Sequence, residues 1–291
     1  MRPPRFFSPS PLTVGARVHL SPGAARHAAR ALRLDAGDAL TLFDGRGGEY
    51  ACRIESRGRE GNGDALAVEV LSWRGVECES PVDLTLVQAL QAGEKMDLTV
   101  QKAVELGASR IAPVATRRSV VRLAGERAKK RVAHWRAVAA SACEQCGRNR
   151  VPEVADLTDL PRWLEQPRSG ARPLRLMLDP EASLALDALP RPEAATGVEL
   201  LIGAEGGLAP EERELSLAAG FVAIRLGPRV LRTETAGLAA LAAIQCLWGD
   251  FGNEGFRMFQ STPVTGRQHM EELTPLPCSV IPMKGEVSNR S

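Results

Sequence analysis

The sequence predicts an α/β protein in which a small β-rich module precedes a larger domain built on a largely parallel sheet. In the first 70 or so residues, short runs with alternating apolar positions are separated by glycine-rich turns. Further along, short apolar runs alternate with helical patterns, which is typical of a parallel sheet covered by helices. With 291 residues, 44% of them hydrophobic, the chain can bury a sizeable core in each part.

The β-rich module is predicted to span residues 1–72 and to form a small barrel. One helix is expected within it, from Ala24 to Leu34, because Ser21 and Pro22 are helix-start residues. The turns DGRGG, beginning at Asp44, and GNGD, beginning at Gly61, separate the apolar runs. Strands are therefore predicted at Ala39–Phe43, Glu49–Ile54 and Ala65–Leu71.

The second domain is predicted to span residues 73–252, with residues 72–81 as the linker. Its strands are predicted at Asp83–Leu90, Arg110–Val114, Leu174–Leu178, Val198–Ile202 and Val222–Leu226. Its helices are predicted at Glu94–Leu106, Arg127–Cys146, Pro210–Ala219 and Thr233–Trp248.

Residues 253–291 lose this periodicity and contain several prolines, so they are expected to form a flexible tail. Apolar runs are too short for a membrane span, and the N-terminus has no apolar signal region. The six cysteines are spread out and are expected to be free thiols, which favours a cytoplasmic location.

The net charge is only +2, but basic residues are clustered along the chain. Six arginines and no acidic residue precede Asp35, and residues 110–150 contain many Arg and Lys against only Glu126 and Glu144. Such clusters suit a phosphate backbone and so favour nucleic acid as a partner. A solvated surface balanced by acidic residues elsewhere would also explain them.

The segment VELLIGAEGGLAPEE, residues 198–212, carries an apolar strand into a glycine-rich turn and then a helix starting near Pro210. Open α/β sheets bind ligands at this position, beyond the carboxyl ends of their strands. P-loop and dinucleotide signatures are both absent, and Glu205 would repel a phosphate. A ligand with positive charge, such as S-adenosylmethionine (SAM), fits better; an ordinary tight turn is the plainer alternative.

A second segment, RLGPRVLRTETAGLAALAAIQCLWGD, ends a strand and continues through a polar loop into an alanine-rich helix. That helix is apolar on nearly every side, so we expect it to be buried against the sheet or a second subunit. Thr233 or Thr235 is predicted to cap it. Capping does not explain Arg229 and Arg232, which lie in the same loop.

The segment ACEQCGRNRVPEV contains Cys143 and Cys146 in a C-x-x-C spacing at the end of a predicted helix. No further ligands at zinc spacing accompany them, so no metal site is predicted. Arg148, Asn149 and Arg150 follow as a compact cationic group suited to phosphate or base contacts.

Together with GEKMDLTVQKAVELG, these segments resemble the RsmE family, which methylates N3 of a uridine in 16S ribosomal RNA and belongs to the SPOUT superfamily. PRFF, HAARALRL and LFDGRGGEY are similar to the family's N-terminal PUA-like RNA-binding barrel. The resemblance covers residues from about 2 to 252. One departure is Ala204, where the family usually has proline, which should cost about 1 kcal/mol or less of loop preorganisation.

The resemblance implies a trefoil-knotted parallel-sheet domain, a homodimer, and SAM held mostly by backbone groups of three loops. In this chain the implied cofactor-binding residues are Leu178, Ile202, Gly203, Glu205, Gly206, Gly207, Leu226, Gly227, Leu231 and Arg232.

For catalysis, the hypothesis is that Arg232 stabilises the deprotonated base and that Glu205 or Glu234 accepts its proton. Arg229 is a candidate phosphate contact. The expected RNA-binding residues are Arg5, Arg30, Arg33, Arg118, Arg148, Asn149 and Arg150. Two alternatives stay open: a non-catalytic RNA-binding or ribosome-assembly protein on the same fold, and a nucleotide-dependent enzyme of Rossmann type.

Overall fold

The computed structural model describes residues 3–60, 63–167, 172–193 and 196–252. The predicted tail, residues 253–291, lies outside this part of the chain, as do two residues of the GNGD turn. The described residues form two domains. The N-terminal module is a β-sheet with one short helix, and the C-terminal domain is a parallel sheet with helices.

The N-terminal module contains a five-stranded sheet with the strand order β1-β3-β4-β5-β2. Only β1 and β3 pair in parallel, and the other pairs are antiparallel. The predicted strands exist, but β4 and β5 extend further than their apolar alternation does and pair as two antiparallel strands of 12 residues each. The strands are β1 Arg5–Phe7, β2 Arg17–His19, β3 Ala39–Phe43, β4 Glu49–Glu60 and β5 Gly63–Arg74.

The helix of this module begins at Pro22, two residues before the predicted Ala24, and its regular α-helical part ends before the predicted Leu34. Ser21 Oγ accepts a hydrogen bond from the Ala24 amide at 3.3 Å and caps α1, Pro22–Arg26. The chain then continues as a π-helical turn over His27–Ala31, and Arg33 has a positive φ of 57°. A regular α-helix to Leu34 was therefore a wrong prediction, because the chain widens and turns as it packs Ala28 and Ala29 into the core.

The C-terminal domain is built on a parallel sheet with the strand order β12-β10-β11-β6-β7-β8, in which β9 also pairs with β7. Every pairing in it is parallel, as the alternating pattern predicts. The strands are β6 Leu84–Ala89, β7 Arg110–Ala115, β8 Glu153–Val154, β9 Thr158–Asp159, β10 Leu174–Leu178, β11 Val198–Ile202 and β12 Val222–Ile224.

Five helices accompany this sheet in the described part of the chain: α2 Lys95–Glu105, α3 Gly125–Cys146, α4 Leu160–Glu165, α5 Pro210–Ala218 and α6 Thr233–Leu247. The main core buries Leu84, Leu86, Val100, Trp135 and Leu241 between sheet and helices. Sequence patterns missed α4, which is too short for helical periodicity to show. Among the described helices, none combines the length and the apolar character that crossing a bilayer requires.

The two domains meet at a network of buried polar contacts. Arg5, from β1, forms an ion pair with Glu49 and donates to Asn149 Oδ1 at 2.7 Å. The Phe7 amide donates to Glu144 Oε1 at 2.9 Å, which ties β1 to α3. Burial raises the pKa of that carboxyl, although the bond from Phe7 opposes the shift.

Arg148 lies in the same junction and is almost fully buried, with its side chain 5% exposed. It pairs with Glu79 and donates to the carbonyls of Val104 and Ala108 at 2.9 and 2.7 Å. Asn149 is fully buried as well and donates to the Val76 carbonyl. Arg5, Arg148 and Asn149, which the sequence analysis predicted as RNA contacts, therefore direct their polar groups into the domain junction; Arg148 and Asn149 are buried there, and Arg5 is partly buried.

Candidate active site

Three loops that follow adjacent strands meet at the carboxyl edge of the parallel sheet. β10 ends at Leu178, β11 at Ile202 and β12 at Ile224, and the three strands are neighbours in the order β12-β10-β11. The Asp179 amide donates to the Ile224 carbonyl at 2.9 Å, which continues the β10–β12 pairing into the loops. The segments that the sequence assigned to cofactor binding are thus brought together at one edge.

The glycine-rich loop after β11 folds back on itself. The Gly207 amide donates to the Ala204 carbonyl at 2.8 Å, and Gly207 adopts a positive φ of 72°. A Cβ atom at Gly203 would lie 2.9 Å from the carbonyl carbon of Gly207, closer than real Cβ contacts allow. Gly203 is therefore required for the tight return of this loop, whereas Gly207 is required for its backbone conformation.

Thr233 connects the glycine loop to the loop after β12. Its Oγ1 donates to the Gly203 carbonyl at 2.6 Å and accepts from Gln88 Nε2 at 3.1 Å. Arg232, and not a threonine, is the N-cap residue of α6, and it makes no side-chain capping bond. The predicted threonine cap was wrong, because the Thr233 hydroxyl is already committed to Gly203 and Gln88.

The two candidate proton acceptors differ in their surroundings. Glu234 lies in the first turn of α6, and its carboxylate is 3.1 Å from Lys95 Nζ. A hydrogen bond to its own backbone amide, the ion pair with Lys95 and the charge of Arg232 lower its pKa. Glu205 is exposed in the glycine loop, where its Oε1 accepts from the Ala92 amide at 3.3 Å.

A cationic segment after β7 covers the glycine loop from the other side. Arg118 Nη1 donates to the Gly206 carbonyl at 2.8 Å, and the Arg117 amide donates to Glu212 Oε1 at 2.8 Å. Arg232 and Arg229 are exposed in the loop after β12. Exposed arginines therefore flank the carboxyl edge, where a negatively charged backbone would be attracted.

Two residues of this edge escaped the sequence reasoning. Gln88, the second-last residue of β6, is fully buried, and its Oε1 finds no hydrogen-bond partner among the described residues. Lys95 belongs to the GEKMD segment, which supported the resemblance without any role being given to the lysine. Only tertiary pairing with β11 and α6 reveals both, since each is distant in sequence from Gly203 and Glu234.

The remaining RNA candidates are exposed but do not converge on this edge. Arg30 pairs with Asp64 at 2.7 Å on the surface of the N-terminal module, where Arg33 is exposed too. Arg150 precedes β8, whose first residue pairs with the first residue of β7, so it lies at the amino edge of the sheet. Of the candidates, Arg118 is the one beside the glycine loop.

The C-x-x-C pair lies at the end of α3. Burial raises the pKa of Cys143 to about 12, and Cys143 Sγ contacts the Arg150 carbonyl at 3.7 Å. Within the described ranges, no group of three or more His, Cys, Asp or Glu side chains could hold a metal ion. Cys143 is accordingly a packing residue of the core.

A profile of the RNA methyltransferase domain family matches residues 78–245, and a profile of the RNA methyltransferase PUA domain matches residues 20–61. The ribosomal RNA small subunit methyltransferase E of Buchnera aphidicola is 32% identical over 249 residues, covering 86% of this chain and 98% of the relative. This chain belongs to the ribosomal RNA small subunit methyltransferase E family.

Other members of the family support the same assignment. The Mycobacterium bovis methyltransferase E is 37% identical over 224 residues, covering 76% of this chain and 83% of the relative. The crystal structure of the Neisseria gonorrhoeae methyltransferase E, bound to S-adenosyl methionine, superposes with a TM-score of 0.78 at 40% identity. That match covers 86% of this chain and all of the other chain, so the SPOUT-type fold with a PUA-like module is shared.

Proposed function

We propose that this protein transfers a methyl group from SAM to N3 of a uridine in 16S ribosomal RNA of the small ribosomal subunit. The observation that carries the proposal is the meeting of three loops at the carboxyl edge of β10, β11 and β12. This is the edge at which open α/β sheets bind ligands. The SAM-bound relative from Neisseria gonorrhoeae shares the fold over its whole length.

The residues at this edge fit SAM. Gly227 has a positive φ of 68°, as Gly207 does, and a Cβ at either position would meet no atom within 4 Å. The loops therefore expose backbone amides and carbonyls to a ligand without side-chain obstruction. Leu178, Leu226 and Leu231 are partly buried and would contribute apolar contacts, while Glu205 offers negative charge to a cationic ligand. SAM would supply an electrophilic methyl group.

Proton removal makes N3 of the uracil ring nucleophilic, and the resulting charge spreads onto the ring oxygens. We assign Arg232 to stabilise that charge, because it is exposed at the positively polarised start of α6. Glu205 is the better proton acceptor of the two carboxylates. Glu234 has a lowered pKa and is bound to Lys95, so it is a weaker base and a positioning residue for Lys95 and Arg232.

The proposal includes two further features of the family resemblance, a trefoil knot around the site and a homodimer. Exposed apolar side chains on α2 and α6 support the homodimer. Leu98 and Leu247 are 46% and 45% exposed, and Cys246 is exposed beside Leu247. Apolar groups that stay in water on an otherwise buried helix pair favour contact with a second copy.

Methyl transfer from labelled SAM to small ribosomal subunits that lack the modification is the direct test. We expect label in the RNA and a mapped methyl group on N3 of one uridine. Label on another atom or base would refute the uridine-N3 assignment and leave RNA methylation standing. Binding of RNA with no SAM binding by titration calorimetry would favour the non-catalytic alternative.

The role of Arg232 has a matched control in the same loop. Arg232→Ala should slow single-turnover methylation at saturating SAM by roughly 100-fold or more, since it removes a donor that acts on developing charge. Arg229→Ala removes an exposed guanidinium three residues earlier and should retain most of the single-turnover rate. A near-normal rate for Arg232→Ala would show that another group stabilises the base.

A further inference from the structure

One large aromatic side chain stands out on the surface of the N-terminal module. Trp73, near the end of β5, is 53% exposed, whereas Trp135, Trp163 and Trp248 are at most 4% exposed. All four tryptophans of the chain lie in the described part. An indole left in water is costly for the free protein and is a common mark of a ligand or partner surface.

The Trp73 ring is held in place by glycine backbone on two sides. A Cβ at Gly48 would collide with the indole near Nε1, and a Cβ at Gly75 would lie 3.0 Å from Cη2. Gly48 therefore abuts the pyrrole end of the ring, while Gly75 abuts the benzene end. The ring is thus fixed by its own domain while more than half of the residue stays exposed.

Two arginines lie at the turn that abuts this indole. The Gly47–Gly48 turn connects Trp73 to Arg150, since a Cβ at Gly47 would lie 2.8 Å from Arg150 Nη2, although the Glu77 carboxylate lies closer still. Arg46 forms an isolated β-bridge with Arg150, whereas Arg74, the neighbour of Trp73 in β5, projects from the other face of the strand and pairs with Glu49. We name Arg46, Trp73 and Arg150 the Trp73 platform.

Charge on the exposed side of the Trp73 platform is predominantly positive. The side chain of Arg150 is 59% exposed, and Arg46 is exposed as well. Glu77, which pairs with Arg150, is less exposed at 35% and accepts from the Gly48 amide at 2.8 Å. A flat aromatic ring flanked by exposed guanidinium groups matches a nucleic-acid base flanked by phosphates.

Position in the fold separates the Trp73 platform from the candidate active site. Arg150 lies at the amino edge of the parallel sheet, whereas the three loops lie at its carboxyl edge. β6 crosses the sheet between these edges with six residues, or about 20 Å of extended chain. A nucleotide on the Trp73 platform would therefore be distinct from a nucleotide undergoing methylation in the same protomer.

We propose that the Trp73 platform binds an unstacked base in a single-stranded segment of RNA, with Arg46 and Arg150 contacting the neighbouring phosphates. The inference rests on the proposed function in that RNA is the substrate. It adds a second contact point to that function, at the junction of the two domains. Stacking on an indole tolerates any base, so the platform should select unpaired RNA and not a sequence.

Intrinsic fluorescence tests the platform without any methyl transfer, because Trp73 is the one exposed indole. An unstructured RNA of about ten nucleotides should quench the tryptophan fluorescence of the full-length protein, since binding sites for single strands span roughly that length. Trp73→Ala should weaken binding of this RNA about 5- to 150-fold, and Trp73→Phe should restore most of the affinity. Val14→Ala, which alters an apolar residue with 51% exposure in the same module, is the matched control and should bind normally.

Several results would overturn the proposal. Normal RNA affinity in Trp73→Ala, or stronger quenching by a duplex of the same sequence, would exclude stacking of an unpaired base. If a second copy of the chain covers Trp73, the indole is protected from acrylamide quenching without RNA. Loss of this protection on dilution, together with loss of the dimer mass in light scattering, would assign the indole to the dimer contact. Failure of methyl transfer with quenching intact would refute the proposed function and leave the RNA platform standing.

Discussion

The two edges of the parallel sheet both carry arginines, but they use them differently. At the amino edge, Arg5 and Arg148 are buried against Glu49 and Glu79 and join the domains. At the carboxyl edge, Arg118 and Arg232 remain exposed near backbone that would bind a ligand. A cluster of basic residues in a sequence therefore contains both buried structural arginines and exposed arginines. An arginine belongs to the first group when a buried carboxylate lies next to it in the fold.

Removing the buried charge at the amino edge should have the largest effect. Arg148→Ala leaves Glu79 buried without its partner and frees the carbonyls of Val104 and Ala108, so we expect a loss of about 3–5 kcal/mol of stability. Urea denaturation of the full chain measures it.

Arg150→Ala is the matched control, since its pair with Glu77 is exposed and should contribute at most about 1 kcal/mol. Normal stability with selectively weakened RNA binding in Arg148→Ala would instead restore Arg148 to the RNA contacts and remove the contrast between the edges.

At the carboxyl edge, a smaller loss of stability should accompany a larger loss of ligand binding. Thr233→Val removes the hydroxyl that joins the Gly203 carbonyl to Gln88. The Gly203 carbonyl loses this donor and Gln88 Nε2 keeps only its bond to the Ala89 carbonyl, so we expect a loss of about 1–3 kcal/mol of stability. SAM affinity, measured by titration calorimetry, should fall because the glycine loop loses its anchor. Thr233→Ser keeps the hydroxyl and should bind SAM nearly normally; equal loss in both variants would point to packing of the methyl group.

The smallest expected effects are opposite pH dependences of two glutamates. The pKa of Glu234 is lowered, so its charge stabilises the fold above its ordinary value of 4.5 and this contribution is lost as pH falls. The pKa of Glu144 is raised by burial, so its charge destabilises the fold at neutral pH and the cost disappears as pH falls.

Glu234→Gln should therefore lower stability near neutral pH, and Glu144→Gln should raise it. The difference for Glu144→Gln should shrink as pH falls toward 4.5, and the difference for Glu234→Gln should shrink as pH falls below 4.5. Thermal denaturation across this range measures them. A parallel response of the two variants would show that local charge does not distinguish the edges.

Local pattern was sufficient for most of the sheet and for the position of the candidate site. β10 and β11 lie where their apolar runs predict, because a buried parallel strand is a short apolar run followed by a turn. Gly203, Gly206 and Gly207 marked the loop for the same reason, since tight backbone returns need glycine.

Long-range pairing was beyond the reach of sequence pattern. Nothing local distinguishes Arg148 from Arg150, because the distinction depends on Glu79, about 70 residues earlier in the chain. The same holds for Thr233, whose partners come from the loop after β11 (Gly203) and from β6 (Gln88). The short strands β1 and β2, with three residues each, carry too little periodicity to be seen.

The buried network of Arg5, Glu144, Arg148 and Asn149 has a geometric consequence. A module attached through buried, hydrogen-bonded polar groups swings less freely than one on a flexible linker would. The spacing between the N-terminal module and the glycine loop is therefore set by the protein. An RNA that contacts both the N-terminal module and the glycine loop must present two contact points at that fixed spacing. We therefore expect the enzyme to accept only RNA that has already folded into the matching shape.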